Sequence, residues 1–188
     1  IVEKNMDMNF DGKTVIITGA SAGVGAACAR AFASLKANLV LVARGQEGLN
    51  VISDELSKYC EIMTVAMDVA DTDGCITLLE KANKEFGQID VLVNNAGMHS
   101  RGDLASVDAT DVGAMVDINL RAPFILSCAA IPYLKKSVSG AIVMVGSLAG
   151  MAPLQGAATY SGTKSGLRAF TYAISDELRD TGIHVGLV

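Results

Sequence analysis

A chain of 188 residues, 51% hydrophobic and 19% charged, has the length and composition of one globular domain with a sizeable core. Its net charge of −5 and the lack of any Lys/Arg cluster exclude a nucleic-acid footprint and point to a small molecule or another subunit as partner. The four cysteines are scattered without metal-ligand spacing, so they read as free thiols of a reducing, cytoplasmic compartment, with no metal expected.

Residues Ile1 to Phe10 are polar and partly acidic, unlike a secretory signal, and form an N-terminal extension. Thr14–Thr18 is a β-branched run without alternation, as expected for a central parallel strand buried on both faces. A turn over 19–25 leads into a helix over 23–35, whose alanines at 26, 27, 29, 31 and 33 allow close approach to a sheet. Strand two covers 38–43 and a helix 47–58. Strand three covers 61–66, and Asp71, Thr72 and Asp73 offer N-caps for a helix reaching Phe86. Strand four is 90–93. A long helical stretch follows over 108–136, with Pro123 expected to break or bend it. Strand five is 141–145, a helix spans 158–181, and strand six is 183–188, with His184 in its middle. No apolar run approaches the roughly 18 residues of a membrane span. The expectation is an α/β doubly wound parallel sheet, Rossmann-like, in a single domain over 1–188.

The turn Gly19-Ala20-Ser21-Ala22-Gly23-Val24-Gly25 lies between the first strand and the first helix. Glycines there let backbone approach a pyrophosphate, and the helix N-terminus offers unpaired N–H groups and partial positive charge. The spacing G-x-x-x-G-x-G also suits a tight turn with close helix–sheet packing. At the end of strand two stand Ala43 and Arg44. A carboxylate there would grip the ribose diol of NAD(H), whereas Arg44 offers a cation to a 2′-phosphate and favours NADP(H). Ala22 adds no second basic residue.

Tyr160 and Lys164 are four residues apart, one turn on the same face of a helix. A cation held beside a phenol favours its ionised form and readies the hydroxyl for proton transfer, although such a pair also occurs as a solvated surface contact.

With the glycine turn, Asp68-Val69, Asn94-Asn95-Ala96-Gly97, Asn119, Ser147, Tyr160 and Lys164 in this order, the chain resembles the short-chain dehydrogenase/reductase family over about residues 11–188. The resemblance implies that Gly19, Ser21 and Val24 hold the pyrophosphate and that Asp68 and Val69 meet the adenine. Asn95 would line the adenine ribose with Ala96 and Gly97 beside it, while Asn94 and Gly97 shape the strand end. Lys164 is similar to the lysine that grips the nicotinamide ribose and tunes the catalytic tyrosine, matched by Tyr160. Asn119 matches an asparagine that bends its helix and holds a relay water. Ser147, thirteen residues before Tyr160, would steady the substrate oxygen while Tyr160 moves the proton.

The implied activity is NADP(H)-dependent hydride transfer between nicotinamide and a carbonyl or secondary alcohol, in a homodimer or homotetramer. The opening Met8-Asn9-Phe10-Asp11-Gly12-Lys13 looks most like 3-oxoacyl-acyl-carrier-protein reductases and general ketoreductases. Alternatives are a steroid, sugar or polyol dehydrogenase of the same family, or a catalytically silent dinucleotide-binding sensor. Met98, His99, Ser100 and Arg101 could border the substrate mouth, and His99 could be a second proton carrier. In the family, strand six leads into a Pro-Gly turn, a threonine on the nicotinamide amide, a mobile substrate segment and a final strand. None of these follows Val188, so the native protein is expected to be longer, and strand six to present an unpaired edge.

Overall fold

The computed structural model describes residues 9–188; the N-terminal extension, except for its last two residues, and Met8 of the opening motif lie outside the described residues. The strands are β1 (Thr14–Thr18), β2 (Asn38–Ala43), β3 (Ile62–Ala66), β4 (Val91–Asn94), β5 (Ala141–Met144) and β6 (His184–Leu187). They form one parallel sheet in the order β3-β2-β1-β4-β5-β6. The helices are α1 (Gly23–Ser34), α2 (Gln46–Leu56), α3 (Thr72–Phe86), α4 (Ala109–Val116), α5 (Ala122–Leu134) and α6 (Ala158–Glu177). This is the expected doubly wound α/β architecture.

Every residue of β1 is buried, and the strand's period of two divides them between two cores. Val15 and Ile17 join Leu39, Leu41, Val91 and Val93 under α1 and α2. Ile16 joins Val40, Leu92 and Ile142 under α3, α5 and α6. A continuous apolar run is therefore the signature of a sheet covered on both faces, and each fully buried isoleucine contributes about 2 kcal/mol. Of the five alanines on α1, the structure buries 26, 29 and 33. Those three share one helical face, whereas Ala27 and Ala31 point to solvent.

One expectation is refined and two need correction. The long stretch after β4 is interrupted next to Pro123, as expected, with the irregularity just upstream of the proline. It divides at a π turn, Asp117–Arg121, immediately before α5. Proline lacks an N–H for the carbonyl four residues back and its ring crowds that carbonyl, so the helix widens just upstream. Ala109–Leu134, 26 residues across that turn, is also long and apolar enough to cross a membrane by length and composition. Its apolar character has a local reason, since Leu126, Ala130 and Leu134 fill the core under the sheet. Finally, His184 begins β6 rather than sitting inside it, and its ring is exposed. Among the described residues β6 pairs with β5 alone and lies at the edge of the sheet, as expected.

At the base of the sheet, Asp90 is 1% exposed. Its carboxylate accepts the Thr14 N–H at 2.9 Å and the Ser137 hydroxyl at 2.6 Å, with the Lys13 ammonium at 3.4 Å. One anion thus joins the start of β1, the start of β4 and the turn before β5. Asp90→Ala should cost about 3 kcal/mol by leaving buried donors unpaired, read as a lower urea midpoint at unchanged slope.

Candidate active site

The connections leave β1 and β4 for opposite faces of the sheet, so a crevice opens between their C-terminal ends. Side chains bridge it where ladder bonds stop. The Thr18 hydroxyl accepts the N–H groups of Asn95 and Ala96 at 3.0 and 2.9 Å and donates to Val93 O at 3.3 Å. The Asn95 carboxamide donates to Thr18 O at 2.8 Å and Gly19 O at 3.2 Å. Both amide hydrogens of Asn95 are thus engaged by the β1 turn.

Above this bridge lies a cleft of about 340 Å³. Its wall comprises Gly19 and Ser21 after β1, Ala43, Arg44 and Gly45 after β2, and Met67, Asp68 and Val69 after β3. Ala96, Gly97 and Met98 after β4 and Ile118 of the π turn complete it. Of the residues expected to hold a cofactor, Gly19, Ser21, Arg44, Asp68, Val69, Ala96 and Gly97 line it. Ala22, Gly23, Val24, Gly25, Asn95, Tyr160 and Lys164 are not among the residues that line it.

The glycines divide into two uses. A Cβ on Gly25 would lie 2.2 Å from Gly19 O, so this glycine lets α1 pack against the turn. Gly19 and Gly23 have φ of +67° and +55°, and the space where a Gly23 Cβ would point is open. The N-terminus of α1 has no side-chain cap and no acidic residue in its first turn, leaving N–H groups and positive potential for an anion. Arg44 is exposed and makes no ion pair among the described residues. These features fit a nicotinamide dinucleotide: the α1 N-terminus suits its pyrophosphate and Arg44 a phosphate at the ribose end.

Tyr160 and Lys164 occupy successive turns of α6, as their spacing predicts. Lys164 is 6% exposed. Its ammonium donates to Val145 O at 2.7 Å and stands 5.9 Å from the Tyr160 ring centroid. It lies 3.9 Å from where a Gly97 Cβ would sit, with Asn119 Oδ1 at 3.3 Å from the same point. Gly97 therefore keeps the passage between the cleft and the ammonium free of a side chain.

Ser147 opens the short turn Leu148–Gly150, where its hydroxyl oxygen accepts the Ala149 N–H at 3.2 Å. That bond leaves the hydroxyl hydrogen for another acceptor. The following loop is stapled to α6: Leu154 N–H donates to Ser161 Oγ at 3.2 Å, and Ser165 Oγ donates to Gly150 O at 3.1 Å. Leu148, Met151 and Leu154 remain exposed on this loop.

Asn119 lies in the π turn and is 1% exposed. Its carboxamide takes the Met98 N–H and donates to Met98 O, both at 2.8 Å, and reaches Thr163 Oγ1 at 3.3 Å. Asn119 thereby locks the segment after β4 to α6. Arg121, in the same turn, pairs with Asp117 at 2.7 Å and donates to Ala70 O at 2.7 Å and Thr72 Oγ1 at 2.9 Å. The turn is thus fixed to the Asp68–Val69 wall.

Sequence reading missed Thr18, Ser161, Thr163 and Arg121, which touch the site only through other residues, as well as Gly45, Met67 and Ile118 on the wall. The position of Thr18, last in β1 before Gly19, was the one available signal.

A family model described as short chain dehydrogenase matches residues 13–188. A 3-oxoacyl-acyl-carrier-protein reductase of Escherichia coli is 34% identical over 181 residues, 96% of this chain and 73% of the relative. An NADP-dependent 3-hydroxy acid dehydrogenase of Schizosaccharomyces pombe is 36% identical over 180 residues, 94% of this chain and 70% of the relative. A metagenomic short-chain oxidoreductase crystallised with NADP superimposes with a TM-score of 0.91 at 34% identity, over 95% of this chain and 82% of that one.

Burial pushes Lys164 below its ordinary value of 10.5. The folded protein gives up this proton before the unfolded chain does, so stability contributed here rises with pH up to about that value. Lys164→Met removes the titration. Urea melts from neutral pH toward 10.5 should show the parent gaining stability relative to the variant.

Proposed function

The chain belongs to the short-chain dehydrogenase family, nicotinamide-dependent oxidoreductases acting on C=O and CH–OH groups, and from that premise we propose that it is an NADPH-dependent ketone reductase in which Tyr160 delivers the proton. The observation that carries the reading is the position of the Lys164 ammonium. It bonds to Val145 O, two residues before Ser147, and stands one turn from Tyr160. One cation therefore joins the strand end bearing Ser147 to the helix bearing Tyr160.

The bound nicotinamide supplies the hydride to the carbonyl carbon. Ser147 donates its free hydroxyl hydrogen to the substrate oxygen and holds it. Tyr160 gives its proton to that oxygen as charge develops there. Lys164 places its ammonium 5.9 Å from the Tyr160 ring centroid, and would hold the nicotinamide ribose. Asn119 acts through its main chain, because its carboxamide is spent on Met98 and Thr163. Pro123, four residues on, has no N–H for the Asn119 carbonyl, which suits that oxygen to hold a relay water.

Arg44 on the cleft wall and the lack of a carboxylate at Ala43 support NADP(H) over NAD(H), in keeping with relatives described as NADP-dependent or crystallised with NADP. The exposed Leu148, Met151 and Leu154 beside Ser147 give the mouth an apolar rim suited to an acyl chain. The likeness to a 3-oxoacyl-acyl-carrier-protein reductase supports a 3-oxoacyl substrate.

Tyr160→Phe should lower kcat by roughly 10²- to 10⁴-fold while leaving NADPH binding intact, followed as NADPH oxidation with a panel of small ketones and 3-oxoacyl thioesters. Unchanged kcat would rule out the proton-transfer role. Arg44→Ala should raise KM for NADPH about 10- to 100-fold, the scale of a charge-assisted phosphate contact, with KM for NADH unmoved. A parent protein that prefers NADH would contradict this use of Arg44.

A further inference from the structure

The Tyr160 hydroxyl makes no hydrogen bond within the described residues, as a group kept for a substrate oxygen should not. Its ring must therefore be oriented by packing. The ring that meets it is His99, with centroids 4.5 Å apart and planes at 79°, an edge-to-face contact that favours one mutual orientation. Neither imidazole nitrogen bonds to Tyr160, so the contact is one of rings and not of a proton path.

The backbone that carries His99 is fixed on both sides. Asn119 holds both polar groups of Met98, the preceding residue, at 2.8 Å. Three residues after His99, Gly102 N–H donates to Gly156 O at 2.9 Å, tying this loop to the one that leads into α6. His99 is exposed, and on a free loop its ring would be a solvated side chain. Here, a buried asparagine and a cross-loop bond hold it against the one phenol in the site.

We propose that His99 is a positioning residue for Tyr160. Its ring sets the rotamer of the phenol so that the hydroxyl meets the substrate oxygen, and Asn119, acting through Met98, sets the ring of His99. This rests on the reading of Tyr160 as the proton carrier. It gives Asn119 a second use besides its carbonyl, and it replaces the idea of His99 as a second proton carrier.

Misplacing a reacting group by a fraction of its contact distance is costly, and an aromatic pair is worth about tenfold in an equilibrium. His99→Ala should therefore lower kcat about tenfold with KM for NADPH unchanged, and His99→Phe, which keeps a ring but cannot titrate, should recover most of the loss. A His99→Phe variant as slow as His99→Ala would assign the effect to imidazole chemistry and overturn the inference, as would full kcat in His99→Ala. A second readout needs no turnover. The chain has two histidines, so the His99 C2 proton is assigned by NMR from its loss in His99→Phe. Tyr160→Leu should shift that resonance by removing the ring current, and an unmoved resonance overturns the contact. Full activity in Tyr160→Phe would bring down the proton-carrier reading and this role with it. Loss in Tyr160→Phe with full activity in His99→Ala overturns this role alone.

Discussion

Thr18 and Asn95 hold the ends of β1 and β4 together at the point where the chain leaves them for opposite faces of the sheet. Beyond Val93 the ladder between the two strands stops. The Thr18 hydroxyl accepts the Asn95 and Ala96 N–H groups, and the Asn95 carboxamide satisfies two carbonyls on the other side. Buried backbone polar groups left unpaired cost on the order of 1–3 kcal/mol each, so this small bridge permits a crevice in an otherwise closed sheet. The glycine turn and the Ala96–Met98 segment both start from it.

The catalytic side depends on a second constraint, a helix that is not allowed to be regular. Pro123 widens the helix upstream, and the π turn brings Asn119 to the backbone of Met98 and Arg121 to the loop after β3. One turn thereby links the Asp68–Val69 wall of the cleft, the segment bearing His99, and α6. Lys164 completes the arrangement at a cost. Its ammonium is taken out of water and compensated by the Val145 carbonyl, a poor bargain for stability that makes sense where a cation must stand beside a phenol.

The order of elements and the doubly wound sheet were legible in the sequence because each rests on local pattern, whereas Asn119 and Ser147 were singled out only by the resemblance to a family. Buried runs such as Thr14–Thr18 admit little but a covered strand, and Tyr160 and Lys164 share a helical face by spacing alone. The cleft was partly legible, through glycines and strand ends whose backbone chemistry follows from position. Less legible were the uses of particular side chains. Gly25 resembles a phosphate glycine in sequence and serves helix packing in space. Asn95 looks like a cofactor contact, and its amide hydrogens go to the β1 turn.

The sequence by itself determined the fold class, since periodicity acts over one or two turns of chain, and the family, through motifs in a recognisable order. Only the tertiary structure decided how the proposed catalytic set is held. The Asn119–Met98 clamp, the Ser161–Leu154 staple and the His99–Tyr160 contact join residues 21, 7 and 61 positions apart. The Lys164–Val145 bond spans 19. Such contacts leave no periodic trace, because they exist only once the sheet has brought the ends of β4 and β5 beside α6. The tyrosine and lysine could be read from their spacing, whereas the ring that faces the tyrosine could not.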